Sequence, residues 1–591
     1  MNAELAPNLR VDQKTHANVF VKKAFRSFFI PSLFSCLGIA IGGLADCIFV
    51  GNTLGSVGLS AIIIGQPIYM LFNTISYSLS IGGSIRYAAA LSEGRPEEGN
   101  RIFGNVLRFA IFVYLILCGL GLVFLPQVLS FLGAGAPGTE LYMNCESLVR
   151  AQLILVPIMF CQGPLYYFVN CDNNPRLAAV AFVTSNTLDV LFNYIFVVVL
   201  DMGVAGSVYS TGLGAFAMIC ISMVHFIKKK GCLRLTWPKF DFAEIFKSFK
   251  TGFATSVQHI YSFVTILVCN RLLMSLGGNL GVAVFDIIFN VALLAASVYD
   301  AISMALQPMV STFRSEHNRE NIRSTLKEAF KISFILSLVL TGLLVAFPKE
   351  VCFAFGLREA AELAAGSAAV QIFAAGMLFA GVNMLMTYYY QAMEREFASY
   401  LLFTMRSLAL FLLFGVLFAR GSLSNFWWTY PCTEIASLAV LAIYNKIKGS
   451  WTYLSKDEKD VFTATLYSGT ADLGAVEQEV NSYMERLDAS PQQTYYVTMT
   501  VEEVCSVIHK NGFVKQDGYI QLTIVPHEDG TMTLHLRDNA KKFNPFDMNT
   551  DNISLEQGTG LDAIGVKMIK SKAKEFFYRR YAGFNTLVVR I

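Results

Sequence analysis

The spacing of apolar and polar positions divides the chain in two. Up to about residue 446, long apolar runs alternate with short polar stretches; from residue 457 on, short alternating runs and acidic amphipathic stretches take over. The first run, Phe28 to Val50 (FFIPSLFSCLGIAIGGLADCIFV), is almost unbroken. At 1.5 Å per residue, about twenty helical residues cross a hydrocarbon core of roughly 30 Å. Such runs recur twelve times, near 27–50, 57–83, 106–130, 148–170, 177–200, 203–227, 252–276, 281–310, 331–348, 366–392, 399–419 and 423–445. Pro31, Pro67, Pro157, Pro164 and Pro308 fall inside runs, which predicts kinked helices that lean on neighbours for backbone partners.

The polar stretches alternate in charge. Lys22, Lys23 and Arg26, then Arg86, Arg95 and Arg101, then Lys228, Lys229, Lys230, Arg234, Lys239, Lys247 and Lys250 all lie on one side of the expected path. Arg314, Arg319, Arg323, Lys327, Lys446 and Lys448 continue the set, while 51–56, 131–147 and 277–281 hold almost no basic residue. Positive loops face the cytoplasm, so both termini are expected there. No apolar region precedes Phe28, so no cleaved signal is expected.

Sliding the chain over itself by about 222 residues reveals a repeat: SEGRPEE (Ser92–Glu98) falls on SEHNREN (Ser315–Asn321), and Tyr166–Tyr167 on Tyr388–Tyr389. Six runs per half is an even number, so the halves run the same way through the membrane with a cavity between them. The expected division is 1–227 and 251–446 for the two lobes, 228–250 for a cytoplasmic linker, and 457–591 for a separate tail domain.

Composition agrees: 54% of the 591 residues are hydrophobic and 15% charged, against about 25% charged in ordinary soluble domains. The net charge of +3 gives no reason to expect a nucleic-acid partner. The twelve cysteines are scattered through apolar runs without metal-ligand spacing and read as small core side chains.

Asp46 in the first run and Asp189 in the fifth are the sharpest candidates for chemistry. A carboxyl group inside a membrane must face protein or a watery cavity, and such groups mark ion or proton pathways. Either acid could exchange a proton, or the two could share a Na⁺. Asp286 and Asp300, in the eighth run, are candidate cavity residues. Arg406 and Glu434 read as a structural pair, and His259 as a core histidine.

At these residues the chain resembles a known family. GLADCIFVGNTLG with IGGSIRYAAALSEGRPEEGNRIF, NTLDVLFNY with GVAGSVYST, and MALQPMVSTFRSEHNREN are similar to segments of MATE (multidrug and toxic compound extrusion) transporters, over about residues 20–446. The resemblance implies a two-lobed antiporter of twelve helices that exports bulky, often cationic organic compounds against H⁺ or Na⁺, with no cofactor. It also implies an ion site of an acid in helix 1, an Asn and an acid four apart in helix 5, and a Thr in helix 6. Asp46, Asp189 and Thr211 match, and the Asn position falls on Ser185. The acidic site of the second lobe has no counterpart; Gln258, His259 and Asn383 stand there.

The tail reads as an α/β sandwich. VFTATLYS is a strand, and Leu473, Val476, Val480, Tyr483, Met484 and Leu487 form a helical stripe. YYVTMT reads as a strand leading into a helix over VEEVCSVIHKNG. YIQLTIV and TMTLHLR form a hairpin, and GTGLDAIG opens a last helix before two closing strands. The order resembles the GHKL-type ATPase domain of anti-sigma factor kinases. That resemblance implies Glu503 as base, Asp538 as adenine reader, and Gly558, Gly560 and Gly565 near phosphate. Its metal-binding Asn falls on Val507 and its D-x-G glycine on Ala540. Neither ATP hydrolysis nor phosphoryl transfer is therefore expected, ATP stays an open ligand of the tail, and the chain is not read as an enzyme. The function expected is export across the cell membrane, with the tail as a regulatory module. The alternative is a membrane sensor whose tail captures a cytoplasmic regulatory protein.

Overall fold

The computed structural model describes residues 6–448 and 461–591, apart from 93–94, 173, 229–230, 316–317, 468–472, 514–517, 528, 548–560 and 582–583. The membrane part is helical throughout. Its elements are α1 (Ala6–Ser92), α2 (Pro96–Val123), α3 (Leu125–Leu132), α4 (Glu140–Cys171), α5 (Pro175–Asn193) and α6 (Val204–Ile227). The second half repeats the series with α7 (Phe242–Ser315), α8 (Arg319–Ala346), α9 (Pro348–Ala354), α10 (Ala360–Ala392), α11 (Glu396–Thr404), α12 (Leu410–Ala419), α13 (Leu423–Phe426) and α14 (Thr429–Lys448). A π-helical stretch, Tyr194–Val199, extends α5, and another, Met405–Ala409, joins α11 to α12.

Helices α1 and α7 run for 87 and 74 residues, far more than one crossing requires. Each doubles back at a glycine: Gly55 has φ 60° and ψ −148°, and Gly278 has φ 57° and ψ −145°. Side chains avoid that backbone conformation, so glycine is required. The reversal shows in the packing. A Cβ on Gly281 would stand 3.0 Å from the Leu273 carbonyl, eight residues back, whereas eight residues of straight helix span about 12 Å. Among the described residues, nine helices are long and apolar enough to cross a membrane, with α1 and α7 counted once each.

The two turning glycines lie 223 positions apart, and Gly133 and Gly356, with φ of 90° and 95°, are spaced identically. The repeat read from SEGRPEE and SEHNREN is thus a repeat of backbone geometry. The helices begin earlier than the apolar runs: α2 starts at Pro96, not near 106, and α8 at Arg319, not near 331. Their first turns carry charges that no apolar run includes, and the helices continue beyond any hydrocarbon layer. The expected linker is also shorter, because from Phe242 on it is already α7. Asp172 straps what remains to the first lobe. Its carboxylate accepts from Tyr87 Oη at 2.8 Å, His225 Nε2 at 2.8 Å, and the Cys232 and Leu233 amides at 3.0 and 2.8 Å.

The lobes meet at both ends of the bundle. On the side of the tail, the second limb of α1 is pressed on the start of α7. A Cβ on Gly82 would collide with the Ser248 carbonyl, and one on Gly252 with the Ser78 carbonyl. Beside that seam, Ser78 Oγ and Ser256 Oγ share a hydrogen at 2.6 Å, and Arg86 pairs with Glu244 at 2.8 Å. On the far side, Asn52 Nδ2 donates to the Ala354 carbonyl at 2.8 Å, and Ser60 Oγ to the Asn279 carbonyl at 2.7 Å.

The tail comprises β1 (Phe462–Tyr467), α15 (Leu473–Arg486), α16 (Pro491–Gly512), β2 (Tyr519–Pro526), β3 (Met532–Asp538), α17 (Leu561–Lys572), β4 (Glu575–Tyr581) and β5 (Phe584–Arg590). The strands form one antiparallel sheet in the order β1-β2-β3-β5-β4. YYVTMT is not a strand: it lies inside α16. Ser490 caps the Gln493 amide at 3.2 Å, Pro491 opens the first turn, and Val497, Val501, Val504 and Ile508 carry one buried stripe along the whole helix. Tertiary packing of that stripe outweighs the local β-propensity of Tyr495, Tyr496 and Val497.

Both faces of the sheet's middle are covered. Ile520, Leu522, Ile524, Leu534 and Leu536 meet the helices of the tail. Their alternates, Tyr519, Gln521, Thr523, Thr533 and Arg537, are also buried. These meet the membrane part: Tyr519 and Phe584 join its core cluster, Asn321 Nδ2 donates to Gln521 Oε1 at 3.2 Å, and the Arg537 guanidinium lies 5.3 Å from the Phe313 ring.

Candidate functional site

A cavity of about 450 Å³ lies inside the first lobe, with the α7 residues Phe289, Asn290 and Leu293 closing one wall. Asp46, Ser185, Asp189 and Thr211 all line it. Ser185, Asp189 and Asn193 follow at four-residue intervals and so share a face of α5. Asn193 sits where α5 passes into its π-helical stretch, a feature that re-aims side chains and is common at functional sites.

The contacts join three helices. Asn193 Nδ2 donates to Asp46 Oδ1, linking α5 to α1. Ser210 Oγ and Thr211 Oγ1 stand 2.9 and 3.1 Å from Asp189 Oδ1, linking α6 to α5. Both hydroxyls are equally close to the Ser207 carbonyl, at 2.7 and 3.0 Å. Each has a single hydrogen, so each chooses between the carboxylate and the backbone. Asn193 Oδ1 is buried and has no hydrogen-bond partner. That leaves an unused acceptor beside two acids, a donor set that fits a small cation or a proton.

Asn193 and Ser210 were not singled out from sequence. The family resemblance places an Asn four residues before Asp189, where Ser185 stands; the structure supplies an Asn four residues after it. Ser185 packs against Gly214, where a Cβ would come within 2.6 Å of the Ser185 carbonyl.

The two α7 acids stand elsewhere. Asp286 is 1% exposed and lies behind Asn290, in the seam between the lobes and not on the cavity wall. Asp300 accepts from Tyr388 Oη at 2.9 Å and lines neither large cavity. A second cavity of about 470 Å³ lies in the other lobe and holds Gln258, His259, Arg406 and Glu434. Arg406 Nε pairs with Glu434 Oε1 at 2.6 Å, and Asn383 Nδ2 donates to Glu434 Oε2 at 2.7 Å. The two cavities share Met70, Phe289 and Leu293 as a partition.

In the tail, Asp538 is 3% exposed, and its Oδ1 accepts from Asn585 Nδ2 at 2.7 Å and from the Ala540 amide at 2.9 Å. Burial pushes its carboxyl up to about 6, and the Asn585 amide restrains the rise. Gly565 backs onto Glu503, whose carboxyl fills the place where a Cβ would go. Val507 is fully buried in the core of the tail. Gly558 and Gly560 lie outside the described residues.

Two helical lobes, each led by a helix that doubles back and each holding a polar cavity, define a class: polytopic membrane transport folds. The chain belongs to the MatE family, whose model matches residues 31–195 and 251–417. It is 20% identical over 304 residues to the multidrug export protein MepA of Staphylococcus aureus (strain bovine RF122 / ET3-1), covering 51% of this chain and 66% of that protein. MepA of Staphylococcus saprophyticus is 20% identical over 302 residues, with the same coverage. The matched stretch is thus just under two thirds of these relatives' length. Among solved structures, an inward-facing multidrug resistance MATE family transporter of the MOP superfamily matches with a TM-score of 0.62 at 20% identity, over 69% of this chain and 93% of that one. The MATE multidrug transporter DinF-BH, solved in complex with a small molecule, matches with a TM-score of 0.56 at 22% identity, over 73% and 97%. Both likenesses concern the fold.

Proposed function

We propose that this chain is a secondary antiporter that exports bulky cationic organic compounds across the cell membrane, with H⁺ or Na⁺ as the coupling ion. Its passes number twelve: the nine long helices, with α1 and α7 counted twice for their reversals, and α14. Both termini are cytoplasmic, as the basic loops indicate. The observation that carries the reading is the group Asp46, Asn193 and Asp189: two acids on the wall of a cavity in a MatE-family fold, with an unused, buried amide oxygen on the asparagine bonded to one of them.

Coupling follows from the shared hydroxyls. When Asp189 is charged, Ser210 and Thr211 turn towards it and tie α6 to α5. When a proton neutralises Asp189, they fall back on the Ser207 carbonyl and release that tie, whereas a bound Na⁺ would replace the direct hydrogen bonds with a tie through the ion. Asp46, Asp189, Asn193 Oδ1 and the two hydroxyls would hold the Na⁺; the ion supplies only charge. Tyr69, Tyr77, Tyr166 and Tyr167 line the same cavity, and aromatic faces attract organic cations by ~0.5–2 kcal/mol each. The tail is a regulatory module without phosphoryl transfer, since Val507 offers no metal ligand.

The test is efflux of a fluorescent cationic dye from vesicles containing the full chain, under imposed H⁺ and Na⁺ gradients. One gradient drives export by the unaltered protein. Asp46→Asn and Asp189→Asn each abolish it while melting temperature and elution volume stay unchanged. Undiminished export by the double variant would overturn the reading.

A further inference from the structure

Asp286 is an acid of the second lobe that faces the first in the interior of the bundle. It lies eight residues past the Gly278 turn, just as Cys47 lies eight before the Gly55 turn, so both belong to the half of the bundle away from the tail. There the lobes are in contact. Asn290 Nδ2 reaches across to Cys47 Sγ at 3.1 Å and also stands 3.2 Å from Asp286 Oδ1. Asp286 Oδ2 is buried and makes no hydrogen bond of normal geometry, with the Cys47 thiol beside the carboxyl. Val282 and Ala283, one helical turn before it, are buried apolar residues.

We propose that Asp286 is a second proton-binding site, separate from the Asp46–Asp189 group, and that its proton is held only while the far-side seam is closed. An isolated carboxylate in apolar surroundings is expensive, whereas a carboxylic acid there is not. The titratable group that faces it is the Cys47 thiol, on α1. Arg406 and Glu434, the charged pair of its own lobe, are closed on each other and face the other cavity. A proton fits this place better than Na⁺: a thiol and an amide NH₂ beside the carboxyl give a metal ion few oxygens. The hydroxyl-rich group at Asp189 is the contrasting case.

The consequence is a latch. Rocking the lobes apart on the far side brings water to Asp286, which then gives its proton to that water. The bare carboxylate cannot re-enter the dry seam, so the lobes close again only after it has taken a proton from the far side. This rests on the export reading for its purpose, but the site can be tested without transport.

The experiment is infrared spectroscopy of the full chain in lipid at about pH 7.5, where the C=O stretch of a protonated carboxylic acid stands apart from carboxylate bands. The unaltered protein shows such a band. Asp286→Asn removes it, Asp286→Glu shifts it, and the Asp46→Asn/Asp189→Asn double variant retains it. A band unchanged in Asp286→Asn, or lost only in the double variant, overturns the proposal. If the band behaves as stated while vesicles export nothing, the export reading falls and the proton site stands. If export runs and Asp286→Asn leaves the band intact, the proton site falls by itself.

Discussion

Asn193 donates its amide to the Asp46 carboxylate, one helical turn beyond Asp189 on the same face of α5. That bond is the direct tie between the acid of α1 and the helix that carries the other acid. Its amide oxygen remains unused.

Asn193→Leu should therefore behave like loss of an acid although it removes no charge. A hydrogen bond to a charged group contributes about 1.5–3 kcal/mol, which corresponds to roughly tenfold or more in ion affinity. Gradient-driven export should fall by about that factor while the helical signal and melting temperature hold; Asn193→Asp, which keeps oxygens, should retain part of it. Ion titrations of export rate check this.

The glycine seam between α1 and α7 predicts a wedge. Gly82→Leu and Gly252→Leu cannot coexist with the Ser248 and Ser78 carbonyls where they stand. Each should keep the lobes apart on the tail side and stop turnover without unfolding the bundle. Gly119, around which nothing lies within 4 Å, is the control: Gly119→Leu should export normally. Efflux assays on the three variants decide it, and deuterium exchange at 78–86 reports the opened seam.

Asp538 makes the tail sensitive to pH. Its folded value, about 6, lies above the ordinary 3.8. Its contribution to stability is therefore fully present below about pH 4 and is lost as pH rises through about 6, by ~1–3 kcal/mol. Protection of β3 and α16 amides in the full chain, corrected for intrinsic exchange, should decline over that window. Asp538→Asn keeps an acceptor for the Ala540 amide and should flatten the decline.

Val507 supplies a fourth expectation. Its side chain is packed in the tail's core with no exposure. Val507→Asn should lower tail stability by ~1–3 kcal/mol, because a buried amide without partners is unfavourable. It should not create Mg²⁺-dependent nucleotide binding, which calorimetry on the full chain would detect.

The membrane class, the order of runs and the repeat were legible because lipid forces long apolar stretches that few other environments produce. Gly55 and Gly278 fell between runs where turns were expected. Helix starts at Pro96 and Arg319 were not legible, since their charged first turns look like loop. Asp46, Asp189 and Thr211 stood out as polar groups in apolar runs, and the structure gathers them in one cavity. Asn193 does not stand out, because the order of Asn and Asp along α5 is the reverse of the family's. Asp286 reads as a cavity acid from its run alone; only the packing of α1 on α7 reveals the seam. The docked face of the tail was hidden altogether. Gln521, Thr523, Thr533 and Arg537 alternate with apolar residues as solvent-facing strand positions do, and nothing local marks them as covered.

The position of β5 bears on how the molecule is made. It follows every other strand in the chain, yet it lies between β3 and β4, and its first residue, Phe584, packs into the membrane part. Until that strand has left the ribosome, β3 has an open edge and the core of the membrane part lacks the Phe584 side chain. The helical lobes are thus inserted well before their tail can dock. A chain interrupted between the end of α17 and residue 584 would keep every helix of the bundle and lack the strand that closes the sheet between β3 and β4.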